Sequence, residues 1–213
     1  MSKIKYILFD AANTLIHKPS LWTKYLQVLK DFGYNVSEKE LKQKHKLLSE
    51  YIKFPDITSK EFYNSFNKEL INALGIIETS ELLDCIFNAC KYLPWEVFED
   101  VKYISNFSSC EYGVLSNFNS GLTEVLKEKI HHVNFKHIII SEEEKVAKPS
   151  IEFYNIALKK IGLKPNEILF IGDSLKLDIK PALEVGFKVH LIDREHIYTA
   201  SKYRIESFKD ILI

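Results

Sequence analysis

The chain has 213 residues, is 46% hydrophobic, and carries 29 basic and 29 acidic side chains. That length allows one α/β domain with an insertion, or two small domains, with apolar content enough for a sizeable core. The balanced charge offers no polybasic face for nucleic acid or a membrane surface, and no apolar run approaches a membrane span.

The cysteines Cys85, Cys90 and Cys110 lack metal-type CxxC spacing and read as free thiols in a reducing compartment. The N-terminus runs into a strand without a signal-peptide pattern, so the expected location is cytoplasmic. No internal repeat or low-complexity segment is visible.

Residues 4 to 9 read as a buried strand, with the apolar run Ile7-Leu8-Phe9 leading directly to Asp10. A carboxylate at a strand's C-terminal edge, with Thr14 four residues on, suits a nucleophile on a strand-to-loop turn. The next long stretch predicts helices throughout. Trp22, Tyr25, Leu26, Leu29 and Phe32 recur at helical spacing and stop near Gly33. Ser37 with Glu40 forms a capping-box pattern before Leu41, Leu48 and Ile52. Thr58 with Glu61 forms a second before Phe62, Phe66, Leu70 and Leu74. Leu82, Leu83, Ile86, Phe87 and Cys90 give a fourth helix that ends before Pro94.

From about residue 97, helix and strand alternate. Val97, Val101 and Ile104 lie on a helix, Tyr112 to Leu115 on a strand, and Leu122, Val125 and Leu126 on a helix. His137 to Ile140 is a strand, after which Glu142 to Lys145 reads as a solvated loop. Phe153 to Ile161 is a helix, Ile168 to Ile171 a strand, Ile179 to Val185 a helix and Val189 to Ile192 a strand. Arg204 to Ile213 predicts a short strand and a last helical turn. The alternation indicates an α/β fold with a doubly wound parallel sheet, whose ligands sit at the carboxyl ends of the strands. Asp10, Ser116 and Asp173 all fall at such ends.

Four blocks, in order, resemble the motifs of the haloacid dehalogenase-like (HAD) superfamily: Asp10 with Thr14; Ser116-Asn117 after Val114-Leu115; Lys148 in Ala147-Lys148-Pro149; and Asp173 with Asp178 in Gly172-Asp173-Ser174-Leu175-Lys176-Leu177-Asp178. Each is weak alone, and the ordered set is specific. The resemblance implies a Rossmann-type catalytic core of residues 1–16 and 97–213 with an inserted all-α cap, 17–96, standing over the strand ends.

It also implies roles. Asp10 would attack phosphorus and form an aspartyl phosphate. Mg²⁺ would be held by Asp10, Asp173 and the main-chain carbonyl of Ala12. Lys148 would offset the carboxylates and the developing phosphoryl charge. Thr14, Ser116, Asn117 and Lys148 would bind the phosphoryl group, and Asp178 would fix a metal-bound water or Lys148 from behind. The expected partner is a small phosphorylated molecule, with no nucleic acid or membrane involved.

One position departs from the family. Its phosphatases carry a second Asp two residues after the first, and here that residue is Ala12. General acid–base help of this kind is worth about 10²–10⁴-fold in rate. Alanine lacks the group but keeps the carbonyl, so metal and phosphate binding are expected to survive while turnover slows. Substrates with good leaving groups, such as acyl or aryl phosphates, should suffer least. The alternative is a weak or inactive relative that binds a phosphorylated ligand or a protein. Less favoured are a metal-free dehalogenase, which usually has Tyr at this position and no need of Asp173, and a phosphonatase with a Schiff-base lysine in the cap. His17 lies where it could approach substrate. Trp22 and Tyr25 are the cap aromatics expected to face the cleft, and His131-His132 reads as surface.

Overall fold

The computed structural model describes residues 3–55 and 59–211. Strand β1 (Tyr6–Phe9) leads through a tight loop to the two-residue strand β2 (Ile16–His17). Four helices follow: α1 (Ser20–Asp31), α2 (Glu38–Tyr51), α3 (Lys60–Ala73) and α4 (Ser80–Cys90). After β3 (Glu96–Val97) and a 3₁₀ helix (Glu99–Phe107) come β4 (Glu111–Ser116), α5 (Leu122–Lys129) and β5 (Phe135–Ile140). The single turn α6 (Ser141–Glu144), α7 (Ile151–Ile161), β6 (Ile168–Gly172), α8 (Lys180–Val185), β7 (Lys188–Ile192) and β8 (Arg204–Ile205) complete the order.

The main sheet runs β5-β4-β1-β6-β7-β8. Every neighbouring pair in it is parallel. Strand β1 lies inside the sheet, and all four of its residues are buried. Its unbroken Tyr-Ile-Leu-Phe run is what a strand covered on both faces requires. Tyr6, Leu8, Leu115, Phe153, Tyr154, Phe170 and Leu191 share one core with Ile179 and Ala182. The result is a doubly wound, Rossmann-type α/β fold.

The chain divides into two compact units, residues 1–17 with 96–213 and residues 18–95. The second is all helical and has its own core, built from Tyr25, Leu29, Leu41, Phe66, Leu70, Ile71, Leu82 and Ile86. Helices α2, α3 and α4 start on side-chain caps, whereas α1, preceded by Pro19, does not. Ser37 Oγ accepts from Glu40 N at 3.2 Å, Ser59 Oγ from Phe62 N at 3.1 Å, and Thr79 Oγ1 from Leu82 N at 3.2 Å. Each cap satisfies an orphan N–H and contributes about 1 kcal/mol.

Several sequence expectations are corrected. The box expected at Thr58 lies outside the described residues, and the cap of α3 is Ser59. Tyr25, expected to face a cleft, is 2% exposed within the helical unit's own core, against which Trp22 also packs. Strands β2 and β3 pair antiparallel, Ile16 with Val97 and His17 with Glu96; at two residues each they are too short to show a period. Residues 142–144, expected as loop, form most of α6, where Glu142 accepts from Ser120 N at 2.7 Å and Glu144 pairs with Lys160.

Candidate active site

Parallel register brings the ends of β1, β4 and β6 level. Phe9 is opposite Val114 on one side and Ile171 on the other, so Asp10, Ser116 and Gly172-Asp173 emerge at the same edge. Asp10 N donates to Ile171 O at 2.8 Å, carrying the ladder one residue past the strand. The chain then turns sharply. Ala11 O accepts from Leu15 N at 2.8 Å and from Ile16 N at 3.0 Å, and Asn13 N donates to Ile16 O at 2.7 Å. Asn13 has φ +62°, a left-handed conformation that asparagine tolerates better than most residues. The turn returns Thr14 to the carboxylate it follows, and Thr14 Oγ1 donates to Asp10 Oδ2 at 3.1 Å.

The other oxygen of Asp10 receives two donors. Ser116 Oγ lies 3.2 Å and Lys148 Nζ 2.5 Å from Asp10 Oδ1. The same ammonium donates to Asp178 Oδ1 at 2.7 Å. Lys148 is 4% exposed and Asp178 1%. Burial alone would lower the Lys148 pKa, but the carboxylates of Asp10 and Asp178 overcome it and hold the ammonium above the ordinary lysine value. Asp178 is pushed upward, chiefly by burial and then by the neighbouring carboxylates of Asp10 and Asp173, against the pull of Lys148.

The motif around Asp173 has its own physical logic. After β6 the chain makes a π-helical turn over Leu175–Ile179. Such wide turns are rare and recur at functional sites. The turn folds Asp178 back on the strand end, where its Oδ2 accepts from Ser174 N at 3.0 Å. A Cβ on Gly172 would stand 2.4 Å from Asp178 Cγ, so this close approach needs glycine. Tyr154, from α7, donates its hydroxyl to Leu177 O at 2.5 Å and braces the turn from below. Burial, reinforced by Asp178 and Asp10, raises the Tyr154 pKa well above its ordinary value, keeping it a neutral donor.

Asp10, Asp173 and Asp178 each offer a carboxylate oxygen, and these oxygens lie within 4.8 Å of one another. A hard all-oxygen set of this kind fits a cation such as Mg²⁺. Within this set Asp178 already accepts from Lys148 and Ser174, and Asp10 from Thr14, Ser116 and Lys148. Ala12 is half-buried in the loop and pairs with Ile16 across it.

Asn117 has its side chain engaged within the protein. Its amide donates to Lys148 O at 2.9 Å and accepts from Lys148 N at 2.7 Å, so its side chain grips the main chain that presents the lysine. His17 stacks on Phe98 with ring centroids 3.8 Å apart. His131 and His132 are both exposed. Residues missed at the sequence level are Tyr154, Ser174 and Arg194. Only Ser174 lay inside a motif, and the other two act through main-chain carbonyls that carry no sequence signature.

A model of the haloacid dehalogenase-like hydrolases matches residues 4–186. Zebrafish (Danio rerio) haloacid dehalogenase-like hydrolase domain-containing protein 3 is 25% identical over 90% of this chain and 86% of its own. A glyceraldehyde 3-phosphate phosphatase of Methanothermobacter thermautotrophicus is 26% identical over 90% of this chain and 87% of its own. Among solved structures, the HAD-hydrolase YfnB of Bacillus subtilis, bound to magnesium, superposes with TM-score 0.68 at 19% identity, covering 98% of this chain and 97% of that one. Among the described residues, no helix is long and apolar enough to cross a membrane.

Proposed function

The chain belongs to the haloacid dehalogenase-like hydrolases, and from that premise we propose that it is a Mg²⁺-dependent phosphatase of a small phosphorylated metabolite, working through an aspartyl phosphate on Asp10. The observation that carries this reading is the shared grip of Lys148 on Asp10 and Asp178, beside a third carboxylate, Asp173. The phosphatase named among the relatives supports the substrate class. The reading includes a catalytic core of 1–16 and 97–213, a helical cap of 17–96 and a cytoplasmic location.

Asp10, its carboxylate aimed by Thr14, Ser116 and Lys148, attacks phosphorus; the Asp10–phosphorus bond forms as the bond to the leaving oxygen breaks. Asp10, Asp173 and the Ala12 carbonyl would hold Mg²⁺, which would supply positive charge against the anionic phosphoryl group. Lys148 adds a second cation, and the hydroxyls of Thr14 and Ser116, which donate to Asp10 in the free site, turn to the phosphoryl oxygens once substrate is bound. Asp178 holds Lys148 in place. Water then attacks the same phosphorus as the bond from phosphorus to the Asp10 oxygen breaks; its proton passes to solvent, and phosphate and the Asp10 carboxylate are released. Ala12 cannot give a proton to the leaving oxygen or take one from this water, so good leaving groups are favoured.

A phosphoester and acyl phosphate panel, with and without Mg²⁺, tests this reading. Metal-dependent phosphate release that disappears in Asp10→Asn is expected, and Ala12→Asp should raise turnover about tenfold or more. Ala12 also favours a second reading, a phosphate-ligand binder without useful turnover. Metal and phosphate binding with no hydrolysis, unimproved by Ala12→Asp, would select it.

A further inference from the structure

Arg194, just past the end of β7, reaches back to the turn that follows Asp10. It donates to Asn13 O at 3.2 Å and to Thr14 O at 3.0 Å. These are consecutive carbonyls of the turn that places Thr14 on Asp10. The other side of the guanidinium meets Asp100, with Nη2 at 2.8 Å from Oδ1 and Nε at 3.3 Å from Oδ2. Its flat face lies 3.8 Å from the centroid of Phe98. Phe98 holds the same turn independently, donating its N–H to Leu15 O at 3.2 Å.

The support behind Arg194 is also built. Asp193 is 4% exposed and accepts from Ile197 N at 2.8 Å, Tyr198 N at 2.9 Å and Arg204 Nε at 2.9 Å, fixing the bend from which Arg194 projects. Asp100 accepts from Phe208 N at 3.0 Å, so the carboxylate that braces Arg194 is held as well. A planar fork with five donors can serve a carboxylate and two carbonyls at once while stacking on a ring, and a lysine ammonium cannot.

We infer that Arg194 is a positioning residue: its guanidinium, braced by Asp100 and Phe98, fixes the turn of residues 11–16 and thereby the placement of Thr14 against Asp10. What is positioned, a phosphoryl-binding nucleophile, rests on the reading proposed above. The effect acts through main-chain carbonyls, and Arg194 itself touches no reacting group.

The test compares Arg194→Gln and Arg194→Lys with the parent chain by hydrogen–deuterium exchange and by inorganic phosphate binding in Mg²⁺. In Arg194→Gln, exchange of the amides of residues 11–16 should quicken about tenfold or more while peptides of β4 and β6 keep their rates. Phosphate affinity should fall by about the same factor. Arg194→Lys should move both in the same direction by less, and it decides the matter if the Gln variant does not fold. Exchange that quickens evenly through the sheet, or not at all, would make Arg194 a general tie of the fold and overturn the inference. A loosened turn with intact phosphate affinity would overturn it too. A parent chain that binds no phosphate counts against the phosphatase reading alone, because exchange still decides whether Arg194 governs the turn.

Discussion

Lys148 Nζ stands 2.5 Å from Asp10 Oδ1, although 138 residues separate them in the chain. The contact is buried on both sides, with side-chain exposures of 4% and 7%. It makes one lysine answerable for the compatibility of several carboxylates at one strand edge and, on the function proposed above, for the charge offered to a phosphoryl group.

Removing that ammonium should therefore damage both. Lys148→Ala leaves Asp10 and Asp178 facing each other in a buried site. Truncating one partner of a buried pair costs about 3–5 kcal/mol. Urea denaturation of Lys148→Ala should show a loss of that order, with hydrolysis abolished. A stability within about 0.5 kcal/mol of the parent would contradict the burial argument.

Gly172 makes a steric prediction. Gly172→Ala sets a methyl group 2.4 Å from Asp178 Cγ. Overpacking of this kind costs about 1–3 kcal/mol, and here Asp178 must give way and loosen its hold on Lys148. Denaturation midpoints and Mg²⁺ titration of Gly172→Ala should show reduced stability and a weaker half-saturation. An alanine variant equal to the parent in both would show that the Asp178 contact is dispensable.

The helical unit carries a pH dependence of its own. His45 packs edge-on between Trp22, at 5.1 Å between centroids, and Phe66, at 5.0 Å. Burial, helped by Lys46, lowers its pKa to about 4 from an ordinary 6.5. Between those values the unfolded chain binds a proton that the folded chain refuses, so stability falls as pH drops through this window and is fully present above it. The contribution is at most roughly 3 kcal/mol. Thermal unfolding of His45→Phe should show a flatter profile than the parent from about pH 6.5 to 4. Parallel profiles for the two chains would count against a neutral imidazole packed between the two rings.

The sheet was legible because strand interiors such as Ile7-Leu8-Phe9 and Leu169-Phe170-Ile171 are continuous apolar runs bounded by turn residues. The convergence of Asp10, Ser116 and Asp173 on one edge followed from parallel topology alone. Two-residue strands and the cap Ser59 were not legible, since neither periodicity nor a capping motif resolves a shift of one residue. Asn117 was read by its motif position, yet its side chain serves Lys148 main chain. Arg194 and Tyr154 were invisible because both donate to backbone carbonyls, which every residue possesses. The π-helical turn after Ser174 likewise leaves no periodic trace, though it decides where Asp178 stands.

The measurement that bears most directly on the proposed chemistry is acid quenching of the protein during turnover of an acyl or aryl phosphate in Mg²⁺, followed by peptide mapping. A phosphoryl group on the peptide containing Asp10, labile to hydroxylamine and missing from Asp10→Asn, is the predicted result. Steady turnover with Asp10 unmodified, or with the label on another residue, would contradict it.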